Sequence, residues 1–125
     1  MSLTGREPPR DICDRTFEYG VRVTNLCKQL EQKGWIGRKI GSQLFDAGTS
    51  VGANVQEGQA GQSKKDFISK YAIALKEVRE SVYWMRLSVA SETIGATQVT
   101  DLMDEGIQIS KILGKSLVTA QSNNK

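Results

Sequence analysis

The sequence predicts an all-α protein, folded as an antiparallel up-and-down four-helix bundle. Three observations predict it. Apolar residues recur at alternating steps of three and four along four stretches, glycine or capping signals separate those stretches, and no stretch alternates as a half-buried strand does. Short links between four amphipathic helices leave antiparallel neighbours as the natural arrangement. The 125 residues suit one domain with one core, and 38% hydrophobic with 25% charged residues argues against wholesale disorder.

The first helical pattern begins at Asp11, with Ile12, Thr16, Tyr19, Val23, Leu26 and Leu30 forming one seam and Gly34 ending it. The second, about 37–57, carries Ile40, Leu44, Ala47, Val51 and Asn54 on its seam. Gly41, Gly48 and Gly52 lie inside it, each costing up to about 1 kcal/mol against alanine, so tight packing must compensate and this helix should be central. Ser63 and Asp66 make a capping-box-like start for a third helix of roughly 28 residues. Its seam is Phe67, Tyr71, Ala74, Val78, Val82, Met85 and Val89. A turn over residues 91–97, with Thr97 as the expected cap, leads to a fourth helix at about 98–121 through Val99, Leu102, Met103, Ile109, Leu113 and Leu117. Residues 1–9, with Pro8 and Pro9, are expected to form a flexible tail, residues 10–121 the bundle, and 122–125 a frayed end.

One segment is more specific than periodicity. Ser50-Val51-Gly52-Ala53-Asn54-Val55-Gln56-Glu57-Gly58 is followed by Ser63-Lys64-Lys65-Asp66-Phe67, and later by Ala74-Leu75-Lys76-Glu77-Val78-Arg79-Glu80 and Tyr83-Trp84-Met85-Arg86-Leu87. These stretches resemble the four-helix-bundle family of the protein encoded in intervening sequences of bacterial large-subunit ribosomal RNA, over roughly residues 11–119. The resemblance implies a homopentamer. It also implies kinship with a group that binds RNA and reverse transcriptase as an accessory factor of diversity-generating retroelements. Relatives often carry two adjacent arginines where this chain has Phe45 and Asp46, and arginine again where it has Gly61 and Gln62. Fewer cations there weaken an inherited contact with phosphate.

Reaction chemistry is sparse. There is no histidine, which removes the commonest general base and zinc ligand, and two cysteines alone cannot complete a structural zinc site. Cys13 and Cys27 share the first helix about 21 Å apart along its axis, too far for a disulfide, and are expected as reduced, half-buried thiols. Gly114-Lys115-Ser116 falls in a helical pattern with Ile109 where a phosphate loop needs glycine. Asp101, Asp104 and Glu105 suit the start of the fourth helix electrostatically better than a metal site. No enzyme, cofactor or small-molecule substrate is expected.

Contacts are the richer subject. Ser50, Asn54 and Glu57 are expected to fix helix register by bonding to a neighbouring helix or to the 58–63 turn, with a ligand pocket as the alternative. Lys76, Arg79, Tyr83 and Arg86 form one stripe on the third helix, with Glu80 and Trp84 beside it. That stripe is a solvated face, a subunit interface or an RNA-stacking surface. Arg38, Lys39, Lys64, Lys65 and Lys70 are the candidate nucleic-acid contacts, on a chain of net charge +3. The starts of the second and third helices lie at opposite ends of a bundle, so one chain cannot merge these cations into a patch. With no apolar run long enough to span a membrane and no secretory pattern at Met1–Pro9, the expected location is the cytoplasm. The combined expectation is a self-associating scaffold, with an RNA-binding accessory ring as the rival.

Overall fold

The computed structural model describes residues 11–122. The expected tail at 1–9 lies outside the described residues, as do residues 123–125. Four helices run in order: α1 over Ile12–Glu31, α2 over Gly34–Ala60, α3 over Lys64–Ala90 and α4 over Thr100–Ser122, with a 3-10 turn at Ala96–Gln98 before the last. Each helix packs on the next in sequence, and a narrower seam between α4 and α1 closes the bundle. There is no strand among the described residues.

Local chemistry sets the helix ends. Asp11 caps α1, its carboxylate accepting the Asp14 amide at 2.9 Å, and Ser63 caps α3 by accepting the Asp66 amide at 3.1 Å. Gly34 adopts φ 80°, a left-handed conformation that lets the chain reverse at once. It therefore opens α2 as well as closing the turn after α1, and α2 begins three residues before the expected 37. At the other end α2 runs to Ala60 rather than 57. Thr97 does not cap α4. It lies inside the 3-10 turn, and α4 starts at Thr100 and continues through Ser122.

The core follows the predicted seams with informative exceptions. Tyr19, Val23 and Leu30 of α1 are fully buried, with Leu44, Val51 and Val55 of α2, Ala74, Val78 and Met85 of α3, and Ile109 and Leu113 of α4. Val55, not Asn54, takes the fifth seam position of α2, because after Val51 the burial step is four rather than three. On α3, Val82 and Val89 are only half-buried, while Ser81 and Ser88 are fully buried. Each serine hydroxyl donates to a carbonyl three residues back, Val78 and Met85 respectively, both at 2.7 Å. The small, internally satisfied side chains let other helices come close.

Two glycines show how close. A Cβ on Gly48 would lie 2.6 Å from Val23 Cγ1, so α2 accepts the stiff Val23 side chain against bare backbone. A Cβ on Gly106 would lie 2.6 Å from the Tyr19 hydroxyl and 2.8 Å from Val82 Cγ2. Gly106 is the space that allows Tyr19 to cross the interior and meet Ser81 Oγ at 2.7 Å. The expectation of a glycine-rich second helix in tight packing holds: α2 lies along α1 on one side and α3 on the other, with Gly41 and Gly48 buried. Gly52 is half-buried.

Gly106→Ala should destabilise the bundle by about 1–2 kcal/mol in urea titration. The displaced Tyr19–Ser81 bond, worth about 1–3 kcal/mol where a buried group is left unsatisfied, outweighs the helix-propensity gain. At Gly114 no atom lies within 4 Å of the added carbon. Gly114→Ala should therefore stabilise by about 0.5–1 kcal/mol. Alkaline pH provides a second measure. Burial pushes the Tyr19 phenol up to about 12 from 10.0 and is the main cause that pushes the Cys27 thiol up to about 11 from 9.0, with Asp46 adding to it. Both groups are raised in the folded state, so their share of stability is intact below the unfolded values and lost as pH climbs through the folded ones. Urea midpoints should hold to about pH 9 and fall between about 9 and 12, and Cys27→Ala should flatten the first part of that fall.

Candidate functional site

Surface chemistry concentrates on α3. Lys76, Arg79, Tyr83 and Arg86 are all exposed, Tyr83 by 54%, and form the expected stripe along one side of the helix. Among the described residues none of the three cations forms an ion pair. Trp84 sits differently. It is half-buried against the core, its ring meeting Tyr83 edge-on at 5.0 Å. Its indole N–H donates to Glu80 Oε2 at 3.2 Å, so Glu80 steadies Trp84. Tyr83, Arg86, Leu87 and Ala90 border a shallow hollow at the C-terminal end of the stripe.

The polar positions of α2 divide. Ser50 Oγ donates to the Asp46 carbonyl at 2.6 Å and Asn54 Nδ2 to the Ser50 carbonyl at 2.9 Å. Both bonds stay inside α2, which corrects the expectation that Asn54 is buried on the seam and ties this helix to another. Asn54 is only half-buried, and an amide at that depth is satisfied one turn back. Glu57 does cross, pairing with Lys70 Nζ of α3 at 3.0 Å. Glu57 is exposed and Lys70 only half-buried, so solvent screening keeps the tie at no more than about 1 kcal/mol.

Of the cations expected to meet nucleic acid, Arg38 and Lys39 are exposed at the start of α2, and Lys64 and Lys65 at the start of α3. Lys70 is half-buried and already engaged by Glu57. The two groups of cations occupy opposite ends of the antiparallel pair, as expected.

Several features carried weak sequence signals. Arg15 of α1 grips Glu105 of α4, Nε to Oε2 at 3.0 Å and Nη2 to Oε1 at 2.7 Å, and the carboxylate's hydrogen bond is the main cause raising the arginine's pKa. Glu105 is thus a clasp across the narrow seam, while Asp101 and Asp104 stay exposed. No three His, Cys, Asp or Glu among the described residues gather as a metal would need. Gly114-Lys115-Ser116 lies within α4. Cys13 and Cys27 are free and half-buried, and the Cys27 thiol donates to the Gly41 carbonyl at 3.3 Å. A groove also runs along the outside of the α1–α2 pair, with Gly20, Gly52 and Ala53 in its lining and Phe17 and Val21 on its α1 bank. Its sequence signal was a four-residue step of large apolar residues, Phe17 and Val21, away from the core seam. No helix among the described residues is long and apolar enough to cross a membrane.

The arrangement defines a helical bundle whose distinctive chemistry lies on outward faces rather than in an enclosed pocket. The model for the 23S rRNA-intervening sequence protein family matches residues 10–115, and the chain belongs to that family. Among solved structures it is similar to a crystal structure from Bacteroides thetaiotaomicron, described as a protein of unknown function from the S23 ribosomal protein family. The two share 37% identity and a TM-score of 0.78, over 86% of this chain and 98% of that one. No curated protein matches the chain.

Proposed function

We propose that this protein is a non-enzymatic cytoplasmic scaffold that assembles with copies of itself, as a pentameric ring by family resemblance, and presents its α3 face as a contact surface. The observation that carries the reading is the stripe of Lys76, Arg79, Tyr83 and Arg86. It is exposed, without intramolecular ion pairs among the described residues, and centred on an aromatic residue. Arginine and tyrosine are enriched where protein interfaces bury most energy. The polar groups inside the bundle are spoken for by structural bonds, Tyr19 with Ser81 and Arg15 with Glu105, which leaves surface recognition as the chemistry on offer. Sedimentation at micromolar concentration should find a multi-subunit species, and Arg79→Glu with Arg86→Glu should reduce its size at unchanged helicity. A wild-type monomer throughout rejects the scaffold.

The second reading is an accessory ring that binds RNA, favoured by the same three cations beside a tyrosine ring able to stack on a base. If each copy neutralises three phosphates, log affinity for single strands should fall with log salt at a slope of roughly −2 per engaged copy. Absence of RNA binding at low ionic strength removes this reading.

A further inference from the structure

The groove between α1 and α2 is an uncharged hollow beside exposed large apolar side chains. Its lining, which includes Gly20, Thr49, Gly52, Ala53 and Gln56, contains no Asp, Glu, Lys or Arg, although a quarter of the chain is charged. Phe17 is 62% and Val21 45% exposed along the α1 bank, and Phe45 is 44% exposed where the same helix pair continues past Thr24 and Cys27. Phe17 and Phe45 together leave roughly 200 Å² of aromatic surface in water. Exposed large apolar side chains and missing charge together match the composition of an interface centre.

Size and charge indicate the occupant. A 20-residue α1 spans about 30 Å. Two packed helices are about 20 Å wide, so this face offers on the order of 600 Å², near the ~800 Å² per partner of a stable protein interface. A small ligand would leave most of that face wet. Its border is of mixed sign but offers carboxylates that arginines can meet: Asp14 one turn before Phe17, Asp46 beside Phe45, and Glu31, with Lys28, on the continuation past Thr24. The stripe on α3 carries the complement: a protruding tyrosine between arginines that have no carboxylate of their own.

We propose that the α1–α2 groove is the receiving half of a head-to-tail contact, and that Tyr83, flanked by Arg79 and Arg86, is the inserting half supplied by a second copy of this chain. The proposal rests on the self-associating reading and names the surface that reading lacks. A contact between two different patches leaves each copy with one free groove and one free stripe, so it propagates into a ring where the rotation closes. The glycine and alanine floor then has a role beyond helix packing, because any larger side chain there would exclude the incoming ring.

Complementation between two disabled chains tests it. Ala53→Arg fills the groove and leaves the stripe intact, while Tyr83→Ser with Arg86→Glu removes the stripe and leaves the groove intact. All three positions are exposed or half-exposed on helix surfaces. Helicity and urea midpoint should match wild type, and Gln56→Arg, on the same groove wall, replaces Ala53→Arg if it does not fold. By light scattering the wild type should exceed a dimer and each variant alone should be monomeric. A 1:1 mixture should give a species of twice the monomer mass, since one good groove and one good stripe remain between the two chains. A wild-type assembly that Ala53→Arg and Gln56→Arg leave unchanged overturns the inference and keeps the scaffold. Dimers of the stripe-disabled chain alone overturn it too, because the groove would then be meeting itself. A wild type that stays monomeric removes the scaffold and this contact together.

Discussion

Close approach of α1 to α2 is the constraint on which the molecule rests. Gly48 leaves bare backbone where Val23 presses in, and Gly37 does the same beneath the Leu30 carbonyl. Glycine is a poor helix former, and three or more inside one helix would leave an isolated peptide unfolded. Here the loss is offset because two backbones come close enough for side chains of one helix to pack against the main chain of the other. Dispersion and apolar burial rise steeply at such distances. The remaining helices build outward from that pair: α3 lies along the far side of α2, and α4 is held between α3 and the Arg15–Glu105 clasp.

Much of this was legible in the chain. The course of four seams, the capping of α3, and the burial of Gly41 and Gly48 followed from step size and residue type alone. The failures have physical causes. Serine is polar on any scale, yet Ser81 and Ser88 occupy core positions because each hydroxyl is satisfied by its own helix, and periodicity weighted by hydropathy passes over them. Asn54 looked like a seam residue because a step of three follows Val51 as readily as a step of four. Only packing decides between them. Thr97 has the right chemistry for a cap, but the 3-10 turn places it a few residues too early.

The surfaces were legible only in part. The α3 stripe could be read as a row of like-facing residues, and it is exposed. Trp84 and Glu80 fell next to that row in sequence but turn to each other, which periodicity alone does not reveal. The outer groove of the first hairpin was harder, since it needs both helices at once: Phe17 and Val21 come from one, Gly52 and Ala53 from the other. Membership in the 23S rRNA-intervening sequence protein family describes the architecture and leaves the partner to be found on these faces.

The hidden hydroxyl pair of Tyr19 and Ser81 acts as a vernier for the whole bundle. Sliding α1 by a single residue would carry the phenol about 1.5 Å along the axis and swing it through about 100°, stranding its oxygen in an oily interior while Ser81 keeps its bond to Val78. A purely aliphatic interior tolerates such slips among near-equivalent alignments. With this one polar coincidence at its centre, the protein singles out one alignment, and every outward face inherits its position from that choice.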